Sequence, residues 1–437
     1  MPAPRAGGRA PRRRIETVSR ARPEVVIVGG GFGGLYATRA IGDAAVHVTI
    51  VDRRNHHLFQ PLLYQVATAA LNPADIAAPI RSVFRGWANV SVVLAEAVAV
   101  DVAAKKLTLS DGELAYDYLV LATGATHSYF GHDEWASFAP GLKSIEDALD
   151  IRRRVLLAYE MAEREGDPER RREWMTFVII GGGPTGVEMA GALAEISRQA
   201  LSREFQHIDP SHARILLIEG VPRVLPPYAE DLSARAQKQL ERLGVEVWTS
   251  ARVTGIDASG VHLGQERILA RTVVWAAGVA ASSISRTLGV PLDRAGRVRV
   301  NPDLTIPGHD DVYVIGDLAA VEQDGALVPG VAPAAIQMGR HVGRSIRATI
   351  AGRPRRAFRY RDKGSFATIG RGKAVGELAG GIKLWGFPAW IAWLAIHIAF
   401  LIGFRNRALV IFQWAYSYVT FRRGARLITG APPPRLR

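Results

Sequence analysis

The 437-residue sequence contains no cysteine. This one absence excludes structural disulfides, iron–sulfur clusters, thiolate metal sites and redox-active cysteine pairs together. Any redox chemistry must therefore be carried by a bound cofactor, and no metal is expected. Residues 1–22 have no apolar run and so no core of a secretory signal. Pro2, Pro4 and Pro11 oppose the amphipathic helix of a transit peptide, and the stretch reads as a basic disordered arm. Acidic residues are scarce at both ends: residues 1–22 hold seven Arg against Glu16, and residues 351–437 hold sixteen Lys and Arg against Asp362 and Glu377. The net charge of +14 belongs to these extremities, because the middle keeps 32 basic against 38 acidic residues. Such a distribution suits docking on an anionic lipid surface better than a groove that tracks phosphates, and no nucleic-acid partner is expected.

What is present is the balance of a folded α/β protein, with 48% apolar residues, 22% charged residues and 44 glycines. The length allows two or three cores. Glu24–Val28 reads as a buried parallel strand, Gly29–Gly34 as a tight turn, Leu35 onward as a helix, and Val46–Val51 as a second strand ended by Asp52. The series recurs with a strand Phe177–Ile180, a turn Gly181–Gly186, a helix Val187–Ser197 and a strand Arg214–Ile218 ended by Glu219. Two later strands, in YDYLVLATGA and RTVVWAAGVA, each run into a glycine, Gly124 and Gly278. Gly29 and Gly181 lie 152 positions apart and Gly124 and Gly278 lie 154 apart, so the chain contains an internal duplication. Val312–Ile315, followed by Gly316 and Asp317, returns to the first unit. The predicted architecture is α/β, with two Rossmann-like dinucleotide-binding domains, the second (146–299) inserted in the first (23–145 and 300–350). A C-terminal region, 351–437, carries membrane-anchoring helices.

Each unit carries G-x-G-x-x-G between a strand and a helix. Gly29 allows the sharp turn, Gly31 lets backbone amides approach a pyrophosphate at the helix N-terminus, and Gly34 lets helix and strand pack closely. Asp52 then stands where a carboxylate accepts from ribose hydroxyls. Gly181, Gly183 and Gly186 repeat the pattern, and the charge of Glu219 opposes a 2′-phosphate, which favours NADH over NADPH.

Two dinucleotide sites in one chain need different occupants if electrons are to pass between them. The order of the units resembles the two-dinucleotide flavoprotein reductases, which implies FAD, bound without a covalent link, on Gly29, Gly31, Gly34, Asp52 and Gly124. It implies NADH on Gly181, Gly183, Gly186, Glu219 and Gly278. The same resemblance gives Asp317 of VYVIGDLA a place beside the flavin's ribityl region. Three further segments are similar to type II NADH:quinone oxidoreductases in particular: Asn55–Arg81 (NHHLFQPLLYQVATAALNPADIAAPIR), Asp362–Gly370 (DKGSFATIG) and His397–Ile428 (HIAFLIGFRNRALVIFQWAYSYVTFRRGARLI). The likeness spans roughly residues 24–430. It implies that Glu188 lies near the nicotinamide and flavin, that Lys363 stands at the mouth of a quinone tunnel, and that Gln337 belongs to the quinone site. Where many members read Ala-Gln this chain has Ala332-Pro333, so one amide that could contact a quinone carbonyl is missing. His56 and His57 read as structural.

Leu384–Phe404 runs 21 residues without Asp, Glu, Lys or Arg. With Gly386 and Pro388 discounted, a helix from Ala389 to Phe404 measures about 24 Å at ~1.5 Å per residue, short of a ~30 Å hydrocarbon core. Arg405 and Arg407 are expected to interrupt before an aromatic stretch with Phe412, Trp414, Tyr416, Tyr418 and Phe421, closed by Arg422 and Arg423. Tyr and Trp beside Arg suit an interface, so the region reads as a monotopic anchor on the cytoplasmic face of the cell inner membrane. The same helices could also join two copies as a homodimer, and both cores are expected to survive their removal. No spanning helices carry ionisable residues, so no proton pumping is expected. A soluble NADH-dependent reductase of a small carrier protein is the alternative, and it would not need the apolar C-terminus.

Overall fold

The computed structural model describes residues 22–202, 204–420 and 424–430, so the expected arm, apart from Arg22, and the stretch Phe421–Arg423 lie outside it. The strands Glu24–Val28, Thr176–Ile180 and Arg214–Ile218 are apolar on both faces, the pattern of parallel strands covered by helices on both sides. Two parallel sheets result. In the first, Val90–Leu94, His47–Asp52, Glu24–Val28 and Tyr118–Leu121 lie side by side in that order. In the second, Val245–Trp248, Arg214–Ile218, Thr176–Ile180 and Thr272–Trp275 repeat the same order. A three-stranded antiparallel meander precedes the fourth strand in both, over 97–115 and over 255–269. The duplication read from glycine spacing is thus a duplication of topology.

The two units are joined by their own equivalent segments. Ala125–His127, just after Gly124, pairs antiparallel with Val279–Ala281, just after Gly278. The chain then re-enters the first sheet, where His309–Val314 lies parallel to Tyr118–Leu121. The helix Ala332–Ile350 follows and packs on Phe32–Ile41. Their contact is backbone on backbone: a side chain at Gly339 would put its Cβ 2.2 Å from the carbonyl oxygen of Gly33, and one at Gly343 would sit 2.5 Å from that of Ala37.

The C-terminal unit opens with an antiparallel sheet, Gly364–Gly370, Lys373–Leu378 and Lys383–Trp385, and ends in two helices, Gly386–Phe400 and Phe404–Thr420. Here the first helix departs from the expected span Ala389–Phe404. Gly386 (φ +67°) opens the helix, and Pro388 sits in its first turn, where a missing N–H leaves no bond unmade. Arg407 does not simply interrupt. It reaches back from the second helix, its Nε donating to the Leu401 carbonyl (2.7 Å) and its Nη2 to that of Ala399 (2.9 Å), and so caps the first helix. No helix among the described residues is long and apolar enough to cross a membrane. Trp414, expected at an interface, is buried, as are Trp393 and Val410 in the core around the second sheet. Removing these helices would therefore open that core, contrary to the expectation that both cores survive without them.

Gly339→Val should destabilise the chain by about 3 kcal/mol or more, at the upper end for overpacking because two main chains must separate. Thermal unfolding followed by circular dichroism measures it, and an unchanged midpoint would show that the two helices can part freely.

Candidate active site

Each glycine turn is built by three constraints. At the first, Gly29 has φ +104° and a Cβ there would lie 2.4 Å from the Ala122 carbonyl oxygen. A Cβ at Gly34 would lie 1.9 Å from the Gly29 carbonyl oxygen, whereas at Gly31 it would meet no atom within 4 Å. The second turn copies this: Gly181 has φ +109°, a Cβ at Gly186 would lie 1.8 Å from the Gly181 carbonyl oxygen, and Gly183 faces open space. Pro184 takes the first helical position after Gly183. The carboxylates complete the match. Asp52 accepts from the amides of Gly30 (2.6 Å) and Arg54 (2.7 Å), and Glu219 from those of Gly182 (2.5 Å) and Val221 (3.0 Å).

A cavity of about 920 Å³ is lined by Gly31, Asp52, Gly124 and Asp317 of the first unit and by Thr185 and Glu188 of the second. It stands at the upper end of the ~300–1,000 Å³ usual for cofactor pockets. The Asp317 carboxylate has no hydrogen-bond partner among the described residues. Gly278 (φ +73°) lies under Phe130, whose ring would be 2.6 Å from a Cβ there. Phe130 itself has φ +55°, an unfavourable conformation for a bulky side chain, and is two-thirds exposed.

Glu188 stands on the helix Pro184–Glu195 where the C-terminal sheet crosses it. A Cβ at Gly191 would lie 1.7 Å from the Ile369 carbonyl oxygen, so sheet and helix touch through their main chains. Glu188 accepts from the Thr368 amide (3.4 Å), and Glu195 from that of Arg371. Burial pushes the Glu188 carboxyl up to about 8, only partly offset by the Thr368 amide and the neighbouring Trp393. The Trp393 indole N–H has no partner in hydrogen-bond geometry among the described residues.

Lys363 is exposed, with its Nζ 6.0 Å from the centre of the Phe400 ring, at the outer end of the first C-terminal helix. Gln337 does not point at an empty acceptor site. Its Nε2 donates to the Arg361 carbonyl (2.9 Å) and its Oε1 accepts from the Arg361 amide (3.0 Å). The Asn55–Arg81 segment fills the space between the first glycine turn and the C-terminal helices. His57 is buried and bonds the Gly30 carbonyl through Nδ1 (2.9 Å), and burial pushes its pKa down to about 4, so it is neutral at pH 7. Farther along, Gln65 accepts from the Trp414 indole (2.8 Å), and Asn406 donates to the Ala77 carbonyl (3.1 Å).

The comparisons with known proteins agree with this architecture. A family model described as pyridine nucleotide-disulphide oxidoreductase matches residues 23–339, and one described as the NDH2 C-terminal domain matches 363–423. The type II NADH:quinone oxidoreductase Ndh of Mycobacterium tuberculosis is 46% identical over 424 residues, covering 93% of this chain and 90% of that protein. The chain belongs to the type II NADH:quinone oxidoreductase family. NdhA of the same organism is 44% identical over the same shares, and the type II enzyme of Staphylococcus aureus (strain NCTC 8325 / PS 47) is 28% identical over 82% of this chain and 90% of its own. In fold, the chain is similar to NDH2 of Plasmodium falciparum solved with NADH, with a TM-score of 0.84, 20% identity and coverage of 91% of this chain and 98% of that one.

Within this type II oxidoreductase, sequence reasoning missed the aromatic packing behind Glu188. Trp393 stacks on His397 (4.2 Å between ring centres) and leans on Trp414 (5.5 Å), while Phe59 meets His397 edge-on (6.1 Å). The four-residue spacing of Trp393 and His397 was the available signal, since it puts both on one helix face. Burial pushes the His397 pKa down to about 4.

The raised carboxyl makes stability depend on pH. Above the ordinary carboxylate range the unfolded chain loses the Glu188 proton first, so between about pH 4.5 and about 8 this group lowers stability as pH rises. Glu188→Gln removes the effect. The melting temperature of the variant relative to the parent should climb from pH 5 to pH 8.5 in a fluorimetric unfolding series, and a constant difference would mean that Glu188 is ionised in the folded chain.

Proposed function

We propose that this chain oxidises NADH and reduces a quinone through FAD held without a covalent bond, and that it does so on a membrane surface without pumping protons. The observation that carries this is the shared cavity, to which the first unit contributes Gly31, Asp52 and Asp317 and the second contributes Thr185 and Glu188. A hydride donor on the second unit and a cofactor on the first then meet in one space, and positioning supplies much of the catalysis. The turn residues fit the flavin: Gly31 leaves open space at the helix N-terminus for a pyrophosphate, Asp52 faces the ribose side, and Asp317 offers an unpartnered carboxylate. When bound, FAD supplies the exchange between a hydride acceptor and an electron donor to the quinone.

The chain's own residues orient and exclude water. Gly181, Gly183, Gly186 and Gly278 seat NADH, and Glu219 opposes a 2′-phosphate. Quinone reduction consumes two protons as well as two electrons, and the Glu188 carboxyl, lifted to about 8, holds one at neutral pH beside the cavity. The quinone approaches past Lys363 and Phe400. Domain limits of 23–145 with 300–350, 146–299 and 351–437 follow from the same reading.

Membrane association is supported by large apolar side chains left exposed to solvent, although the Phe387 ring also stacks on Trp390. Phe387, Ile391 and Phe412 on the two C-terminal helices are 62%, 45% and 70% exposed. An apolar band beside basic residues suits a monotopic anchor on an anionic cytoplasmic leaflet, where NADH is also supplied. The band can be shared with a second copy, and a homodimer is part of the proposal.

Gly31→Val should yield a colourless, folded protein, because the new side chain would occupy the approach of the pyrophosphate. A normal flavin absorption spectrum in that variant would detach the first glycine turn from FAD. The exposed band is tested by replacing Phe387, Ile391 and Phe412 together with aspartate, which leaves the buried tryptophans in place. NADH oxidation with water-soluble ferricyanide should be retained, while activity with a long-tailed quinone in liposomes should fall steeply with loss of sedimentation on the vesicles. Undiminished quinone activity would favour a soluble acceptor.

A further inference from the structure

Between the helix Ala332–Ile350 and the strand Gly364–Gly370, residues 353–363 belong to no helix or sheet. Such a stretch must still satisfy its backbone amides and carbonyls. Two glutamine side chains do this for its last part. The Gln323 Oε1 accepts from the Tyr360 amide (2.7 Å) while its Nε2 donates to the Tyr360 carbonyl (3.2 Å). Gln337 does the same for Arg361, at 3.0 and 2.9 Å. Each primary amide thus offers the donor and acceptor that a neighbouring strand would offer, in the two-bond exchange of an antiparallel pair. Successive residues of an extended chain turn their polar groups to opposite edges, so the two glutamines clasp the segment from both sides. Gln323 belongs to the short ribbon Glu322–Gln323 with Ala326–Leu327, and Gln337 to the helix that packs on Phe32–Ile41. The clasp therefore ties residues 360–361 to the first unit.

Two residues on is Lys363. Asp362 accepts from the Gly364 amide (2.9 Å) and from the Tyr360 hydroxyl (3.3 Å), which tightens the turn into the strand that ends over Glu188. We propose that Gln337, with Gln323, is a positioning residue that acts through the backbone of Tyr360 and Arg361 to hold Lys363 at the quinone access. This rests on the reading of Lys363 as part of that access.

The experiment uses the full-length, flavin-loaded protein with Gln323→Ala, Gln337→Ala and Gln337→Glu. Hydrogen–deuterium exchange is followed on peptides spanning 358–364, and kinetics are measured with a long-tailed quinone in liposomes and with ferricyanide. Losing two hydrogen bonds of ~1 kcal/mol each should speed exchange of the Tyr360 or Arg361 amide roughly thirtyfold. Gln323→Ala should raise the KM for quinone by a factor similar to that of Gln337→Ala, with ferricyanide activity unchanged. Gln337→Glu keeps only the acceptor and should fall between parent and Gln337→Ala. If Gln337→Ala impairs quinone reduction while exchange at 358–364 is unaltered and Gln323→Ala is silent, Gln337 meets the quinone directly and the proposal is overturned. Faster exchange with unchanged quinone kinetics in all three variants overturns the link to Lys363. A parent protein that reduces ferricyanide but no quinone would refute the quinone reading itself, whatever the exchange shows.

Discussion

Main-chain contact without an intervening side chain is the constraint on which this structure depends. At Gly34 and at Gly186 the helix runs so close to the preceding turn that any Cβ would lie within 2 Å of a carbonyl oxygen. That closeness aims the helix N-terminus at the tip of the first strand and leaves its unpaired amides facing the cavity. Asp52 and Glu219 then brace the turns through the amides of Gly30 and Gly182. A rigid loop matters because a binding site that is already ordered need not be ordered at the moment of binding.

The same device recurs wherever parts of the chain meet. Gly339 and Gly343 bring the helix Ala332–Ile350 onto the first glycine-turn helix, and Gly191 brings the C-terminal sheet onto the second. The last contact has an electrostatic consequence. Gly191 admits the strand Gly364–Gly370 so closely that the strand covers Glu188 one turn earlier, and burial pushes its carboxyl up to about 8 although the side chain also lines the cavity. A looser joint would admit water and return the group toward its ordinary range. Packing by the smallest residue thus brings the covering strand onto the most perturbed acid in the cavity.

The C-terminal helices have a buried side and an exposed side. One side, with Trp393, Val410 and Trp414, completes the core of the second unit, and the other presents Phe387, Ile391 and Phe412 outward. The C-terminal helices and the body are thereby one folded unit, tied by the Trp414 indole to Gln65 and by Asn406 to Ala77. The segment 55–81 lies between, with His57 touching the first glycine turn through the Gly30 carbonyl.

By itself the sequence determined the two Rossmann-like units, their duplication, the return through His309–Val314, and the glycines and carboxylates of both turns. These signals are local: a strand, a turn and a helix N-terminus are specified by residues within a few positions of one another, and their repetition at nearly one offset identifies the pairing of units. Resemblance extended this to the acceptor. Only the tertiary structure decided that Gln337 faces the Arg361 backbone, that Arg407 caps a helix, that Trp414 is core, and that burial raises the Glu188 carboxyl. Each of these depends on partners remote in sequence, 349 positions apart for Trp414 and Gln65 and 180 for Thr368 and Glu188. Burial and hydrogen-bond partner are properties of such meetings, and neither periodicity nor composition records which distant surfaces the packing of small residues will bring together.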